Sequence, residues 1–193
     1  MLSKGLLFIV SAPAGAGKTT LVARLAEEFD RVVTSVSFTT RTPRPGEVNG
    51  VHYNFVNAEQ FKQKVAAGDF LEHVSLYGKE YGTSKKWVEE QLKKGRHVIL
   101  TIDMQGALLL KAKKNIHAIY IFVLPPSLEV LQERLHKRKT DSAASIKARL
   151  DWAKKEIDYA GSYDYNIVND DLNTAYDALR SILIAEEHRV KNF

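Results

Sequence analysis

The chain has 193 residues, 45% hydrophobic and 26% charged, with a formal net charge of +5. That length accommodates one domain with insertions around a real core, and the composition is that of a globular protein. No apolar run approaches the roughly 18 residues of a membrane span, no signal-type apolar segment follows Met1–Gly5, and the lack of cysteine excludes disulfides and thiolate metal sites, so a soluble, cytoplasmic protein without a membrane partner is expected.

Leu6–Val10 is a continuous apolar run of strand length, as expected of a strand covered on both faces. Ala12-Pro13-Ala14-Gly15-Ala16-Gly17-Lys18-Thr19 follows, and a helical pattern runs over Lys18–Glu28. Ser37–Thr83 then breaks the rhythm with Pro43, Pro45 and several glycines, mixed with aromatic, strand-like pieces such as Val51–Val56. It reads as a small subdomain inserted in the main sheet. Ser84–Lys94 is helical and stops at Gly95, a suitable residue for the position after a helix end. Val98–Ile102 and Ile119–Leu124 are further buried strands, and Ser127 opens a helix running to Lys137. Lys137–Ser145, short, basic and polar, has the composition of a mobile flap. Ile167-Val168 is a shorter strand candidate, and Leu172–Arg189 closes the chain as a helix. Buried strands alternating with helices predict an α/β fold of three layers, with a mostly parallel central sheet wrapped on both faces.

The basic residues concentrate in Arg41–Arg44, Lys111–Lys114, Arg134–Lys139 and Lys147–Lys155. They form no stripe and no recognised module, so a nucleic-acid partner is not expected. Lys111–Lys114 reads as a solvated helix end; the other clusters flank loops, which suits the phosphates of a small ligand.

The segment Ala12–Thr19 fits G-x-x-x-x-G-K-[ST] except for Ala12 at the first glycine. Gly15 and Gly17 let successive N–H groups point inward at phosphate oxygens, and the helix beginning near Lys18 adds its positive dipole end. Lys18 would reach the β- and γ-phosphates of ATP, and the Thr19 hydroxyl would bind Mg²⁺, with Thr20 next to it. Ala12 requires negative φ, a departure expected to be tolerated because the later glycines make the curve. This phosphate loop identifies a class shared by switch GTPases, motor ATPases and nucleotide kinases.

Within Arg41-Thr-Pro-Arg-Pro-Gly46, Pro43 and Pro45 fix their own φ and press Thr42 and Arg44 toward extended backbone. Three residues per turn would project Arg41 and Arg44 from one side as a stiff guanidinium clamp for a phosphate. The alternative is two solvated arginines in a turn. Asp103 follows an apolar strand, where open α/β sheets collect their ligands, and is expected to support either Mg²⁺ or the substrate. The six histidines show no metal or triad spacing, and His52 reads as structural.

Ser37–Tyr53, Phe70-Leu-Glu72, Tyr81-Gly-Thr83, Asp103-Met-Gln-Gly106 and Val168-Asn-Asp-Asp171 together resemble guanylate kinase, in order and spacing, from about Gly5 to Glu186. The resemblance implies transfer of the ATP γ-phosphoryl group to GMP, giving ADP and GDP. It implies contacts of Arg41, Arg44, Tyr53 and Tyr81 with the GMP phosphate, and of Ser37, Glu72 and Thr83 with guanine. One carboxylate can accept both N1–H and N2–H of guanine, whereas adenine presents an acceptor at N1. Taken alone, Glu72 is a carboxylate in Leu-Glu-His that reads as surface, and Tyr53 and Tyr81 read as packing residues. The implied division is a core at about 1–36, 86–126 and 150–193, a GMP-binding insert at about 37–85, and a lid at about 127–149. Where the family carries Arg-Gly-Arg-Gly, this chain has His136-Lys137-Arg138-Lys139, keeping only the second arginine. Arg134, Arg138 and Arg149 are the candidates to offset charge on the transferred group. Asn169 would approach adenine, or Asn169-Asp170-Asp171 would cap the last helix. A non-catalytic binding module of the same ancestry is the alternative, although such modules lose phosphate-loop residues and Lys18 and Thr19 are present. Another small nucleoside monophosphate is a second alternative acceptor. A switch GTPase would need an Asn-Lys-x-Asp element, which is missing. A monomer or a homodimer is expected.

Overall fold

The computed structural model describes residues 5–113, 115–137 and 143–190, with the side chains of 143 and 144 excepted. Among these residues the main sheet has five strands in the order β2-β7-β1-β8-β9: β1 (Leu7–Ser11), β2 (Val32–Thr34), β7 (His97–Thr101), β8 (Ile119–Leu124) and β9 (Tyr165–Val168). Every pairing in it is parallel, as the buried apolar runs predict. β9 is longer than the Ile167-Val168 fragment read from the sequence, because Tyr165 and Asn166 lie on the half-exposed edge and lack the apolar signature.

Helices α1 (Lys18–Glu28) and α7 (Leu172–Glu187) cover one face, where Phe8, Val10, Leu21, Leu25, Ile121, Tyr176 and Leu179 share a core cluster. Helices α3 (Lys85–Lys93) and α4 (Met104–Lys111) cover the other, bringing Val88 and Leu110 against Leu7, Ile9, Val98 and Leu100. The helix starts follow from side-chain caps. Ser84 accepts from the Trp87 amide, Asp103 from Gly106 and Asp171 from Thr174. Gly95 lies at φ 76°, the left-handed conformation that ends α3.

The inserted segment carries its own sheet, ordered β4-β3-β6-β5, from β3 (Phe38–Thr39), β4 (Asn54–Phe55), β5 (Phe70–Leu76) and β6 (Lys79–Ser84). The Val51–Val56 strand expectation shrinks to Asn54–Phe55, since Gly50–His52 form a turn held by hydrogen bonds back to Val48 and Tyr53. Helix α2 (Ala58–Ala66) packs Phe61 onto this sheet and opens with a capping box between Asn57 and Gln60.

Helices α5 (Leu128–Lys137) and α6 (Ala143–Asp158) bury Leu131, Leu135, Ile146 and Ala153 in a small cluster of their own. Of the flap expected over Lys137–Ser145, residues 138–142 lie outside the described residues, Lys137 ends α5, and Ala143–Ser145 belong to α6.

Candidate active site

A cavity of about 710 Å³ opens at the carboxyl ends of β1 and β7, between the main sheet, the inserted sheet and α6. Its walls bring together Ala12, Pro13, Ala14, Gly15, Gly17, Lys18, Thr19 and Thr20 with Ser37, Arg41, Arg44, Tyr53, Glu72, Tyr81, Asp103 and Arg149. This is the crevice that open parallel sheets offer to ligands.

The phosphate loop connects β1 to α1. Gly15 and Gly17 have φ of 99° and 94°, as the inward-turned amides require. A methyl group at Gly17 would come within 2.1 Å of Asn169 Nδ2. Asn169, nearly fully buried, donates from Nδ2 to the Ala16 carbonyl at 2.7 Å. It thus holds the loop from behind, while Asp171, the third residue of the expected cap, caps α7. Ala12 avoids positive φ and is buried, so its methyl group is accommodated as expected. Lys18 is half-buried, and its ammonium donates to the Ile102 carbonyl at 3.1 Å. Burial lowers its pKa, and the charges of Glu156 and then Asp103 oppose that shift.

Arg41 is held rather than loose. Its Nη2 lies 2.7 Å from Glu47 Oε1, and its guanidinium faces the rings of Tyr53 and Phe55 at 5.2 and 5.7 Å. Glu47 Oε2 also accepts from the Arg44 backbone amide at 2.7 Å. One carboxylate therefore shapes the whole arginine turn, a role that sequence reasoning missed. Tyr53 and Tyr81 meet edge to face at 6.1 Å. His52 is structural, as read: Nδ1 accepts from the Val48 amide.

Glu72 sits where β5 slips register, between the pairs Phe70–Ser84 and Glu72–Thr83. A bulge at this point re-aims the side chain, and Lys113 Nζ takes the Leu71 carbonyl at 2.6 Å. Lys113 is exposed just past the end of α4, as read, but its ammonium is engaged on that carbonyl, which only its position across the fold could have shown. Thr83, fully buried, donates from Oγ1 to Glu72 Oε1 at 2.6 Å. Burial pushes the Glu72 carboxyl up to about 7; the Thr83 hydroxyl opposes the shift and the Asp103 charge adds to it. Asp103 Oδ1 caps α4 at Gly106 N, while Oδ2 is buried with no hydrogen-bond partner among the described residues. Its pKa is raised, chiefly by burial.

The family model for guanylate kinase matches residues 4–186. The chain belongs to the guanylate kinase family. It is 57% identical to the guanylate kinase of Protochlamydia amoebophila, covering 97% of this chain and 94% of that one. It is 52% identical to that of Chlamydia trachomatis serovar D, covering 96% and 90%. The crystal structure of guanylate kinase from Anaplasma phagocytophilum superposes with a TM-score of 0.82 at 34% identity, covering 98% of this chain and 90% of that one. The protein is accordingly a kinase that phosphorylates GMP to GDP at the expense of ATP.

The arginines expected to serve a guanylate kinase at the transferred phosphate divide three ways. Arg149 reaches the cavity wall from α6, with Nε 3.5 Å from Ser145 Oγ. Arg134 lies outside that wall, half-buried, with Nη2 3.5 Å from the Asp170 carbonyl. Arg138 lies outside the described residues. Glu156, nearly fully buried on the same wall, was not foreseen; burial pushes its carboxyl up to about 7, against the pull of Lys18. No helix is long and apolar enough to cross a membrane among the described residues.

Proposed function

We propose that ATP and GMP meet in this cavity, with ATP phosphates on the Ala12–Thr20 loop and GMP against the inserted sheet. The observation that carries this reading is Glu72: a buried carboxylate, braced by Thr83, on the same cavity as Lys18. Two acceptor oxygens suit the adjacent N1–H and N2–H donors of guanine. Adenine would leave them unpaired, which supports discrimination of roughly 10⁴-fold or more. Ser37 contributes to the guanine side, and Arg41, Arg44, Tyr53 and Tyr81 bear the GMP phosphate.

A GMP phosphate oxygen attacks the γ-phosphorus of ATP, the bond to the bridging β-oxygen breaks, and ADP leaves. The protein's share is alignment and charge compensation. Lys18 leaves the Ile102 carbonyl for the β/γ-phosphates, and Arg149 approaches the transferred group from α6. Arg134, and Arg138 in the segment between α5 and α6, would join when the helix pair closes as a lid and excludes water. Among the described residues no cluster of three or more His, Cys, Asp or Glu side chains could cage a metal. That fits Mg²⁺ held mainly by phosphate oxygens and water, with Thr19, in the exposed first turn of α1, supplying its hydroxyl. Bound there, the ion would neutralise charge across the β- and γ-oxygens. The orphaned Asp103 oxygen is a spare acceptor where the two substrates meet. Asn169 supports the loop through Nδ2 and keeps Oδ1 for the adenine amino group. The reading entails no nucleic-acid partner and a cytoplasmic enzyme.

The test is a coupled assay of ADP formation with GMP, AMP, UMP or dTMP as acceptor. GMP should be strongly preferred, and equal turnover with AMP would overturn the Glu72 assignment. Lys18→Ala should lower kcat on the order of 10²–10³-fold with the thermal transition retained.

A further inference from the structure

The β5–β6 hairpin turns through Tyr77 and Gly78 at φ of 52° and 69°. Both values are positive, as in a type I′ turn, whose first position favours Asn and resists a bulky ring. Tyr77 is the one non-glycine residue at positive φ among the described residues. A tyrosine held there invites a reason beyond the turn itself.

The ring lies edge to face with Trp152, their centroids 6.2 Å apart. Trp152 stands on α6, one turn after Arg149, and all three residues line the active-site cavity. Glu156 and Arg149 are among the charges that act on the Tyr77 hydroxyl. The Trp152 indole N–H is buried without a hydrogen-bond partner among the described residues. The contact therefore spans the mouth of the cavity, from the tip of the inserted sheet to the helix that carries the arginine.

The hairpin is built to transmit movement. Its two strands pair continuously from Glu72–Thr83 through Val74–Tyr81 to Leu76–Lys79. Glu72, Thr83 and Tyr81, three of the residues assigned to guanine and the GMP phosphate, thus lie on one ladder whose far end is Tyr77. A shift of Glu72 or Tyr81 on GMP binding would carry the ring with it against α6.

We propose that Tyr77 and Trp152 are positioning residues for phosphoryl transfer: the hairpin tip, moving with bound GMP, sets where α6 presents Arg149. The inference rests on the reading of Arg149 as a cation at the transferred phosphate. An edge-to-face pair biases an equilibrium by roughly two- to twelvefold, which sets the size of effect to expect.

Tyr77→Asn supplies the residue the turn prefers and removes the ring. Its Tm should match or exceed that of the parent chain, while kcat falls about five- to tenfold with KM for ATP unchanged. Tyr77→Phe should restore kcat, and Trp152→Leu, which keeps the helix filled, should reproduce the loss. In an Arg149→Ala background, Tyr77→Asn should have no further effect on kcat. Parental kcat in Tyr77→Asn, or the same fractional loss with and without Arg149, overturns the inference while leaving the arginine reading intact. Parental kcat in Arg149→Ala overturns the arginine reading, and the inference with it.

Discussion

Glu72 shows how a common side chain becomes a selective one. In water a glutamate is ionised at neutral pH and ignores the difference between purines. Here burial raises its carboxyl to about 7, so part of the free enzyme holds a proton where guanine needs an acceptor. On the proposed reading of Glu72 as the guanine acceptor, GMP binding should draw the group to its ionised form and release that proton. Calorimetry at pH 7 in buffers of different ionisation enthalpy should report net proton release with GMP, absent in Glu72→Gln. Below about pH 7 the KM for GMP should rise, approaching tenfold per pH unit. A KM flat between pH 6 and 8 would count against ionised Glu72 as the guanine acceptor. Glu47 acts similarly on its neighbours. By holding Arg41 at 2.7 Å it keeps the guanidinium extended over Tyr53, so Glu47→Ala should raise the KM for GMP about three- to tenfold with kcat little changed.

At the scale of elements, the helices with plain caps and uninterrupted apolar spacing were the legible ones. Lys18–Glu28 has the same bounds in sequence and structure, Ser127 caps as read, and Ser84, read as the first helical residue, is the cap of α3. The start of helix α4 went unread, although its end at Lys111 was placed, because Asp103 was taken only as a strand-end ligand and an Asp three residues before Gly106 is also an N-cap. Helix α2 was hidden by the glycines and aromatics around it, despite its Asn57–Gln60 capping box. The pair α5 and α6 was read as a helix, a flap and a following helix bearing Arg149, but the basic, polar joint concealed that α6 begins as early as Ala143 and packs on α5. Their shared cluster matters to the phosphate loop as well. A methyl group at Gly15 would come within 3.2 Å of Leu131 and Leu135, so α5 lies against the loop. Leu131→Ala should cost about 2–5 kcal/mol in chemical denaturation and raise the KM for ATP. A stability loss with ATP kinetics untouched would separate the lid from the loop.

For the whole molecule, two carboxyls raised to about 7 by burial make the empty site an unfavourable arrangement at neutral pH. The folded chain keeps those protons up to about pH 7, while the unfolded chain releases them near the ordinary value of 4.5. Between these limits the folded state binds more protons, so stability should fall as pH rises from about 4.5 to 7 and then level off. Urea denaturation across that range, repeated on Glu72→Gln, tests the sign: the variant should show a shallower fall. Saturating GMP should counter the loss, adding about 2.7 kcal/mol at one hundred times its Kd.

The sequence by itself determined the parallel α/β core, because apolar runs of strand length between capped helices have few other solutions. It also determined the phosphate loop, since its glycines and lysine act through local backbone geometry. The arginine turn was half legible: its prolines announced a stiff segment, but Glu47 as its organiser did not stand out. Lys113 on the Leu71 carbonyl, Asn169 behind Gly17, Glu156 facing Lys18 and Tyr77 against Trp152 were decided by tertiary structure alone. Each joins residues far apart in the chain, and no local propensity or spacing encodes which distant partner a folded backbone will bring within reach.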